Sequence, residues 1–382
     1  MNRWVISCGG TGGHLSPGIA LAEGLRERGH ESRLLISRKK VDGRLSSKYP
    51  DLQFEPVTGT GFAWHPWGLW RCAATQTRAL AHCLRLLGRV RPHGVIGFGG
   101  FSSAPVVVAA RLRGIPAVLH EANRVPGLTV RALGRFAQRV YLPPGVRLRG
   151  VRPGAIRHVG LPVRREINRL PAVAARAALG LDPDRRVLVV LGGSQGASAL
   201  NDWARSQLEF FAAQDVQLYV VTGLDKGREE AMEVKPAGGA PVRARFTPFC
   251  DRMAEVISAA DLVVSRAGAG TLAELIRCET PAILIPYPQA ADDHQRANAE
   301  FFERQGGGVA IPQTQLATLH AEVIDVIFNE WLLRKFRGNL RRMDRANSLE
   351  LMLADLEAIA RSGGAVESVG GWAFSPNGKF PA

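Results

Sequence analysis

The chain alternates between short apolar runs and longer segments with helical periodicity. In the first half, apolar runs recur at 4–8, 32–36, 94–97, 116–119, 139–142 and 157–160. In the second half they recur at 187–191, 217–221, 244–246, 262–264 and 281–285. Helical segments lie between them, such as 253–260 and 270–278, and glycine or proline marks most junctions. This alternation predicts an α/β fold of parallel βαβ units rather than an antiparallel meander.

Each half opens with a strand, a glycine turn and a helix. The run 4–8 leads into GGTGGH at 9–14, and the run 187–191 leads into GGSQGA at 192–197. Ser16 is expected to be the N-cap of the first helix, with Pro17 at its first position. Free backbone N–H groups at such a turn suit a phosphate or another anion. The pattern therefore predicts two similar halves.

The length of 382 residues and the 46% hydrophobic content predict two domains. The stretch 143–162 is rich in Pro, Gly and Arg, which places the expected boundary near residue 163. We expect domains at 1–163 and 164–345, a C-terminal helix at 346–362, and a disordered, dispensable tail at 363–382.

Charge is distributed unevenly between the two halves. Residues 1–165 contain 26 Lys/Arg and 7 Asp/Glu, whereas the remainder contains 23 and 27. Between Pro56 and Arg165 the only acidic residue is Glu121. The first half is therefore expected to contact something anionic: nucleic acid, an acidic bilayer or phosphorylated substrates.

Other global features narrow the class of protein. No apolar run reaches the roughly 18 residues of a membrane span, and the first strand begins too early to leave room for a signal peptide. The five cysteines lack metal-ligand spacing, so we expect free thiols in a reducing cytoplasm.

One segment of the first half combines tryptophan with arginine. Trp64, Trp67 and Trp70 precede a helical stretch with a stripe of arginines: Arg71, Arg78, Arg85 and Arg89. For the leucines of this stretch we favour ordinary packing on the sheet. For the tryptophans we favour an anchor on an anionic membrane surface, with the rings at the acyl boundary and guanidinium groups on lipid phosphates.

The glycine clusters exclude two common nucleotide sites. A dinucleotide fingerprint starting at Gly10 would need a third glycine where Leu15 stands, and no ribose-binding acid ends the second strand. A P-loop motif is absent from the sequence. Asp182 and Asp184 resemble a metal-binding DxD but lie in a proline turn, which we interpret as a turn only.

The segment 265–274, SRAGAGTLAE, follows a buried strand and opens a helix. Small residues at a helix N-terminus fit a diphosphate, and a carboxylate one turn inside can hold two ribose hydroxyls. Thr271 and Glu274 can equally form a simple capping box. From these residues alone the capping box is the preferred interpretation.

Seven motifs in order resemble one family. They are GGTGGH at 9–14, GFGGFSSAP at 97–105, HEAN at 120–123, GLPVR at 160–164, GGSQGA at 192–197, SRAGAGTLAE at 265–274 and ADDHQRANA at 291–299. Together they resemble the MurG family, bacterial peptidoglycan N-acetylglucosaminyltransferases of the inverting, two-domain GT-B type. The resemblance covers residues 4–360. It implies two Rossmann-like parallel-sheet domains that face each other across a cleft.

The resemblance also implies an activity and a location. The enzyme would transfer N-acetylglucosamine from UDP-N-acetylglucosamine to the 4-hydroxyl of MurNAc in undecaprenyl-pyrophosphoryl-MurNAc-pentapeptide (lipid I), giving lipid II. It would be a peripheral protein on the cytoplasmic face of the bacterial inner membrane. No cofactor and no nucleic acid are implied, and whether a divalent ion assists is left open.

The resemblance implies a donor site in the C-terminal domain. The backbone at Cys250 would hold uracil, Glu274 the ribose, and Ser194 and Arg164 the phosphates. The full implied donor set is Thr11, Gly12, Gly13, Asn123, Arg164, Ser194, Cys250, Arg266, Ala269, Gly270, Thr271, Leu272, Ala273, Glu274, His294 and Gln295. On this basis a ribose contact for Glu274 becomes preferable to the capping box.

The acceptor would bind the N-terminal domain. Its diphosphate would rest on the two glycine turns, at Gly10, Gly99, Gly100 and Phe101. Trp64, Trp67, Trp70, Arg71, Arg78 and Arg85 would face the bilayer.

Two residues are candidates for the base that takes the acceptor proton. His14 is at the mouth of the acceptor turn and has a suitable pKa range. A purely structural histidine is the alternative. Glu121 is the second candidate, although it could instead pair with arginine and position Asn123.

Some positions depart from the family pattern. Phe101 stands where many members have Tyr, Leu161 replaces Asn, Val220-Val221 replaces His-Gln, and Gln289 replaces a common His. Two other functions remain to be distinguished: a UDP-sugar transferase acting on a different lipid, such as diacylglycerol, and a membrane-docked nucleotide-sugar binder without activity.

Overall fold

A computed structural model of the chain describes residues 1–10, 12–57, 66–193, 196–345 and 347–362. Within these ranges the chain forms two seven-stranded sheets, each with helices on both faces. The predicted α/β class and the two similar halves are therefore confirmed. The segment 363–382, expected to be a dispensable tail, lies outside the described residues.

The first sheet is entirely parallel, in the order β3-β2-β1-β4-β5-β6-β7. Its strands are β1 (Arg3–Ser7), β2 (Glu31–Ile36), β3 (Gln53–Pro56), β4 (Gly94–Gly97), β5 (Ala117–His120), β6 (Arg139–Leu142) and β7 (Ile156–His158). Apolar clusters cover both faces. Burial on both faces explains the continuous apolar runs of the central strands.

The second sheet has the order β10-β11-β9-β8-β12-β13-β14, with only β10 antiparallel among the described strands. The strands are β8 (Arg186–Leu191), β9 (Val216–Val221), β10 (Glu230–Val234), β11 (Val242–Thr247), β12 (Leu262–Ser265), β13 (Ala282–Leu284) and β14 (Gly308–Ala310). In both sheets the strand order reverses beside the first strand, β1 or β8. Ligands of open α/β sheets bind at such a switch point.

Fourteen α-helices connect the described strands or follow them. They are α1 (Gly12–Glu27), α2 (Lys40–Ser46), α3 (Pro66–Val90), α4 (Gly100–Leu112), α5 (Leu128–Leu133), α6 (Ala172–Ala178), α7 (Ser198–Ser206), α8 (Leu208–Ala213), α9 (Met253–Ala259), α10 (Ala269–Arg277), α11 (His294–Arg304), α12 (Leu319–Ile327), α13 (Glu330–Met343) and α14 (Ser348–Arg361).

Three strands were not predicted: β3, β10 and β14. Strands β3 and β10 are half-exposed edge strands, and β14 has only three residues. Edge position and short length remove the apolar run on which the prediction relied.

The prediction that Ser16 caps the first helix is wrong. Helix α1 begins at Gly12, so Ser16 and Pro17 lie inside it. Proline has no N–H to donate to the carbonyl four residues back, which here is that of Gly13. Helix α4 repeats the arrangement: Pro105 leaves the carbonyl of Phe101 without a helical donor, and Gln76 Nε2 donates to it at 3.3 Å.

The last helix, α14, returns to the first domain. Asp355 accepts from Arg139 Nε and from the Tyr141 hydroxyl, at 2.9 and 2.8 Å, and Leu353 packs in the apolar cluster beneath β1. The chain therefore crosses between the two domains twice. The predicted boundary near 163 stays a prediction and falls between β7 and β8.

Helix α3 packs its leucines on the first sheet, as expected. Leu87 is buried, and Leu80 and Leu84 pack against the same cluster. Among the described residues, no helix combines the length and apolar character needed to cross a membrane. All five cysteines are free thiols, and Asp184 N–H bonds to Asp182 Oδ1 in the turn predicted there.

Candidate active site

The first turns of α1 and α10 meet across the cleft between the two domains. A Cβ added to Gly270 would lie 3.5 Å from the Cα of Gly13. Each helix follows the carboxyl end of a parallel strand, β1 or β12, where such folds place their ligands. The glycine turn before α1 and the N-terminus of α10 therefore open into one crevice.

The two glycine turns of the first domain lie against each other. The Phe101 ring covers Gly10, whose added Cβ would be 3.7 Å from Cε1 of that ring. The His14 ring lies against Gly99 and Gly100, and an added Cβ at Gly100 would be 3.2 Å from His14 Cε1. Of the four residues predicted for the acceptor, Gly99 and Gly100 thus lie against His14, and Phe101 lies against Gly10.

His14 is a neutral imidazole at physiological pH. Burial lowers its pKa to about 4; His294 and Lys39 act in the same direction, and Asp42 opposes them. His120 lies nearby, and burial lowers its pKa to about 4 as well. A neutral ring can accept a proton, as a general base must.

The Glu121 carboxylate holds its own loop. It is buried, with Oε1 accepting from the Asn123 N–H (2.8 Å) and side-chain amide (3.1 Å) and Oε2 accepting from the Gly127 N–H (2.7 Å). Glu121 was a candidate for either the base or a residue that positions Asn123, and these contacts favour the positioning of Asn123.

Asn298 joins this loop to the second domain. Its Oδ1 accepts from the Arg124 N–H (2.9 Å), and its Nδ2 donates to Asn123 Oδ1 (3.1 Å) and to the carbonyl of Ala267 (3.0 Å). Asn298 is buried and satisfied by both domains at once. It therefore sets the spacing between Asn123 and the start of α10.

Glu274 and Arg164 pair directly. Arg164 Nη2 lies 3.1 Å from Glu274 Oε1, and Nη1 reaches Glu166 at 3.1 Å and the Tyr49 hydroxyl at 3.4 Å. Burial raises the pKa of Glu274 above its usual value, although Arg164 lowers it. Glu274, expected to hold ribose, and Arg164, expected to hold phosphate, thus lie within one ion-paired cluster.

The N-terminus of α10 carries no side-chain cap. The helix begins at Ala269 with Gly268 as N-cap, so Thr271 is already inside it and the capping box is not formed. Gly270, Leu272 and Ala273 lie in the first turns with Glu274 one turn inside. The first N–H groups of α10 are therefore available to a ligand in the crevice.

Three other predicted donor residues lie around this helix. Arg266 donates to the carbonyls of Ile285 (3.1 Å) and Pro286 (3.3 Å) and to Gln313 Oε1 (2.6 Å). Its guanidinium thus ties neighbouring loops together. At the start of α11, His294 Nδ1 donates to the Ala291 carbonyl (2.7 Å), and Gln295 accepts from the Tyr287 N–H (3.0 Å).

The loop around Cys250 adjoins an open pocket of about 660 Å³ between the domains. Lys48 and Tyr49 line it from the first domain, and Asp251 and Arg252 from the second. The Tyr219 hydroxyl donates to Cys250 Sγ at 3.7 Å. The pocket has room for a planar base beside the backbone of Cys250.

Three predicted residues, Thr11, Ser194 and Trp64, lie outside the described residues. Trp67 and Trp70 are 76% and 65% exposed on α3, where Arg71, Arg78 and Arg85 are exposed too. All eight belong to the predicted donor or membrane sets.

Three residues of the crevice received no role from the sequence. His120 lies in the HEAN motif and Asn298 in the ADDHQRANA motif. Their place within these motifs could have indicated a functional role. Asp42 follows the basic run 38–40 in a short helix and has no motif around it. Only the fold places its carboxylate beneath the glycine turn.

Two family models match most of the chain. Residues 4–142 match the glycosyltransferase family 28 N-terminal domain, and residues 187–339 match the family 28 C-terminal domain. Together they span the strands, turns and helices that build the crevice.

Individual relatives agree with the family models. A UDP-N-acetylglucosamine--N-acetylmuramyl-(pentapeptide) pyrophosphoryl-undecaprenol N-acetylglucosamine transferase from Opitutus terrae is 63% identical over 97% of this chain and 98% of the relative. One of the same description from Xylella fastidiosa is 38% identical over 90% and 91%. The crystal structure of Acinetobacter baumannii MurG is 24% identical, covers 94% of this chain and 100% of that one, and superposes with a TM-score of 0.68. It confirms the expected two-domain fold.

Proposed function

The chain belongs to the MurG family of glycosyltransferase family 28, and on this premise we propose that it makes lipid II. It transfers N-acetylglucosamine from UDP-N-acetylglucosamine to the 4-hydroxyl of MurNAc in undecaprenyl-pyrophosphoryl-MurNAc-pentapeptide. The identity of 63% along nearly the whole length of the Opitutus terrae transferase supports these substrates. The observation that carries the chemistry is the meeting of Gly13 and Gly270 across the cleft, where both substrates can be enclosed.

The donor occupies the second domain. Uracil enters the pocket beside Cys250, and the ribose hydroxyls bind Glu274. The diphosphate receives the free N–H groups of α10 and the positive end of its dipole, with Arg164 and Ser194 alongside. The sugar extends toward Asn123, His294, Gln295 and the 11–13 turn.

For this donor to bind, Arg164 exchanges partners. In the structure its guanidinium pairs with Glu274 at 3.1 Å. Ribose hydroxyls would take over the carboxylate, and the diphosphate would take over the guanidinium. Each charged group thus keeps a partner throughout, which avoids the cost of a buried unpaired charge.

The acceptor occupies the first domain, with its diphosphate at Gly10, Gly99, Gly100 and Phe101. His14 lies against Gly99 and Gly100 and is uncharged near neutral pH. It takes the proton from the 4-hydroxyl while that oxygen attacks the anomeric carbon. The bond from that carbon to the diphosphate breaks on the opposite face, so the configuration is inverted.

Charge on the departing diphosphate is met by α10 and Arg164 rather than by Arg266. The contacts of Arg266 with Ile285, Pro286 and Gln313 engage its guanidinium in holding loops. Preorganised N–H groups aimed at developing charge are typically the largest electrostatic contribution in such sites.

The first domain docks on an anionic membrane as a peripheral protein, on the cytoplasmic face of the inner membrane where the lipid-linked acceptor lies. Trp67 and Trp70 are exposed next to Arg71, Arg78 and Arg85. Exposed indole rings beside guanidinium groups suit the headgroup boundary of anionic lipids.

The test is a transfer assay with radiolabelled UDP-N-acetylglucosamine and either lipid I or diacylglycerol. Labelled lipid II is the expected product, and labelled diacylglycerol would indicate the rival transferase. Retention of UDP-N-acetylglucosamine without any product would indicate a binder. His14→Ala is expected to lower kcat by roughly 100-fold or more, with donor KM preserved. Near-normal turnover would remove His14 from the base role.

A further inference from the structure

Asp42 is a fully buried acid beneath the glycine turn. Its Oδ2 accepts three hydrogen bonds: from the Gly10 N–H (3.1 Å), the Ser37 N–H (3.1 Å) and the Ser37 hydroxyl (2.6 Å). Its Oδ1 is buried and has no hydrogen-bond donor within the described part of the chain. An ionised carboxylate only accepts hydrogen bonds, so it is suited to a site where three donors meet one oxygen.

Gly10 is held from both sides by this segment. Asp42 accepts from its N–H, and Lys39 Nζ donates to its carbonyl at 2.6 Å. Its φ of +121° is a conformation that few residues other than glycine adopt. Neighbouring Gly9 packs on the Ser37 backbone, since an added Cβ would lie 2.3 Å from Ser37 N. Asp42, Lys39 and Ser37 at the start of α2 therefore fix the Gly9-Gly10 backbone, which precedes His14 in the chain.

The charges around His14 come from four elements. Asp42 on α2 favours the protonated ring, whereas Lys39 before α2 and His294 on α11 disfavour it. His120 at the end of β5 also interacts electrostatically with the ring. Of these four neighbours only Asp42 is an acid, so among them it is the one whose charge can offset a positive charge on His14.

We propose that Asp42 is a positioning residue for the transfer: it fixes the turn that carries His14, and its negative charge stabilises the imidazolium that forms there. This inference rests on the proposed function, in which His14 receives the proton of the acceptor hydroxyl. As that O–H bond breaks and the new glycosidic bond forms, the ring changes from neutral to cationic. In a buried site a fixed anion lowers the cost of that change because screening by water is weak.

The test is a double-mutant cycle between Asp42 and His14. Asp42→Asn keeps the size and an acceptor oxygen but removes the charge. In the parent background, Asp42→Asn is expected to lower kcat about tenfold and to change donor KM by less than about twofold. A charge that acts on the transition state affects kcat without changing donor binding. In the His14→Ala background the same substitution is expected to change kcat by less than about twofold.

Equal losses in the two backgrounds would mean a structural role only and would overturn the proposal. So would an unchanged kcat for Asp42→Asn in the parent. Failure of the proposed function would be detected separately, because the transfer assay on the parent and on His14→Ala tests it before any Asp42 variant is compared.

A second variant decides the question if Asp42→Asn does not fold. Lys39→Gln keeps a donor for the Gly10 carbonyl and removes the positive charge that opposes Asp42 at His14. The charge argument expects kcat at saturating substrates to rise by about threefold, because removing the cation favours the imidazolium. An unchanged or lower kcat would overturn the proposal.

Discussion

Glu274 and Arg164 pair with each other at the mouth of the proposed donor site. Burial disfavours the Glu274 anion and raises its pKa, and Arg164 partly restores the balance. Burial lowers the pKa of Arg164, but Glu274, Tyr49 and Glu166 outweigh this effect and raise it above the usual value. A donor with a ribose and a diphosphate supplies a new partner to each member of the pair.

Glu274→Gln is expected to raise the donor KM by roughly 10- to 100-fold, because hydrogen bonds to a charged carboxylate are lost. The matched control is Glu166→Gln, which also removes a carboxylate from Arg164 but lies outside the proposed ribose contact. Steady-state kinetics with varied UDP-N-acetylglucosamine measure both. Equal KM values for the two variants would place the ribose elsewhere.

The same pair makes donor binding sensitive to acid. Only the anionic form of Glu274 accepts from two ribose hydroxyls, and its folded-state pKa lies above the usual 4.5. Donor affinity is therefore expected to be full at neutral pH and to fall, as pH is lowered, sooner than an ordinary carboxyl would allow. Calorimetric titration of the parent against pH tests this, and Glu274→Gln should lack the dependence.

Helix α14 binds the first domain although it follows the second in the chain. Met352, Leu353, Leu356 and Ile359 enter the cluster beneath β1. Asp355 accepts from Arg139 and Tyr141 of β6, both buried. The helix thus binds this C-terminal segment to the domain that holds the proposed acceptor turns.

Asp355→Ala is expected to lower the free energy of unfolding by about 3 kcal/mol, because it leaves the buried Arg139 without its carboxylate. Glu350→Ala on the same helix is the control. That carboxylate pairs with Arg28 at the surface, with 61% of its side chain exposed against 15% for Asp355. Its loss should cost less than about 1 kcal/mol. Urea unfolding measures both, and similar values would contradict the role of the Arg139 pair.

Over the whole molecule, the excess of basic residues lies in the first domain. Residues 1–165 carry this excess, and α3 lies within them with Trp67 and Trp70 exposed. The second domain exposes Trp331 to a similar extent but has no such excess over its length. The proposed acceptor turns and the proposed membrane face thus both belong to the basic domain.

Replacing Trp67 and Trp70 by Ser is expected to weaken binding to vesicles rich in phosphatidylglycerol by about tenfold, since two apolar rings no longer enter the headgroup boundary. Trp331→Ser is the matched control: the ring is 63% exposed and lies on α13 under Lys335. Sedimentation with vesicles measures the partitioning. Equal loss in the control, or none in the double variant, would contradict a membrane role for α3.

The sequence by itself determined the architecture and the location of the crevice. Central strands buried on both faces leave continuous apolar runs, so β4 and β6 were predicted with their observed bounds. Glycine-rich turns mark places where backbone approaches backbone, and the turns before α1 and α4 lie together as their resemblance implied. Apolar runs and glycine-rich turns are local features of the sequence, so they can be recognised without knowledge of the fold.

Only the tertiary structure decided which partners the polar groups take. Hydrogen bonding over long distances in the chain brings Asp42 under Gly10, Asn298 onto Asn123, and Arg164 onto Glu274. It also engages Arg266 in holding loops, whereas Glu121 holds its own loop through local hydrogen bonds. A carboxylate or guanidinium in a sequence shows a charge but not its partner, because the partner depends on which elements pack together and how much water they exclude.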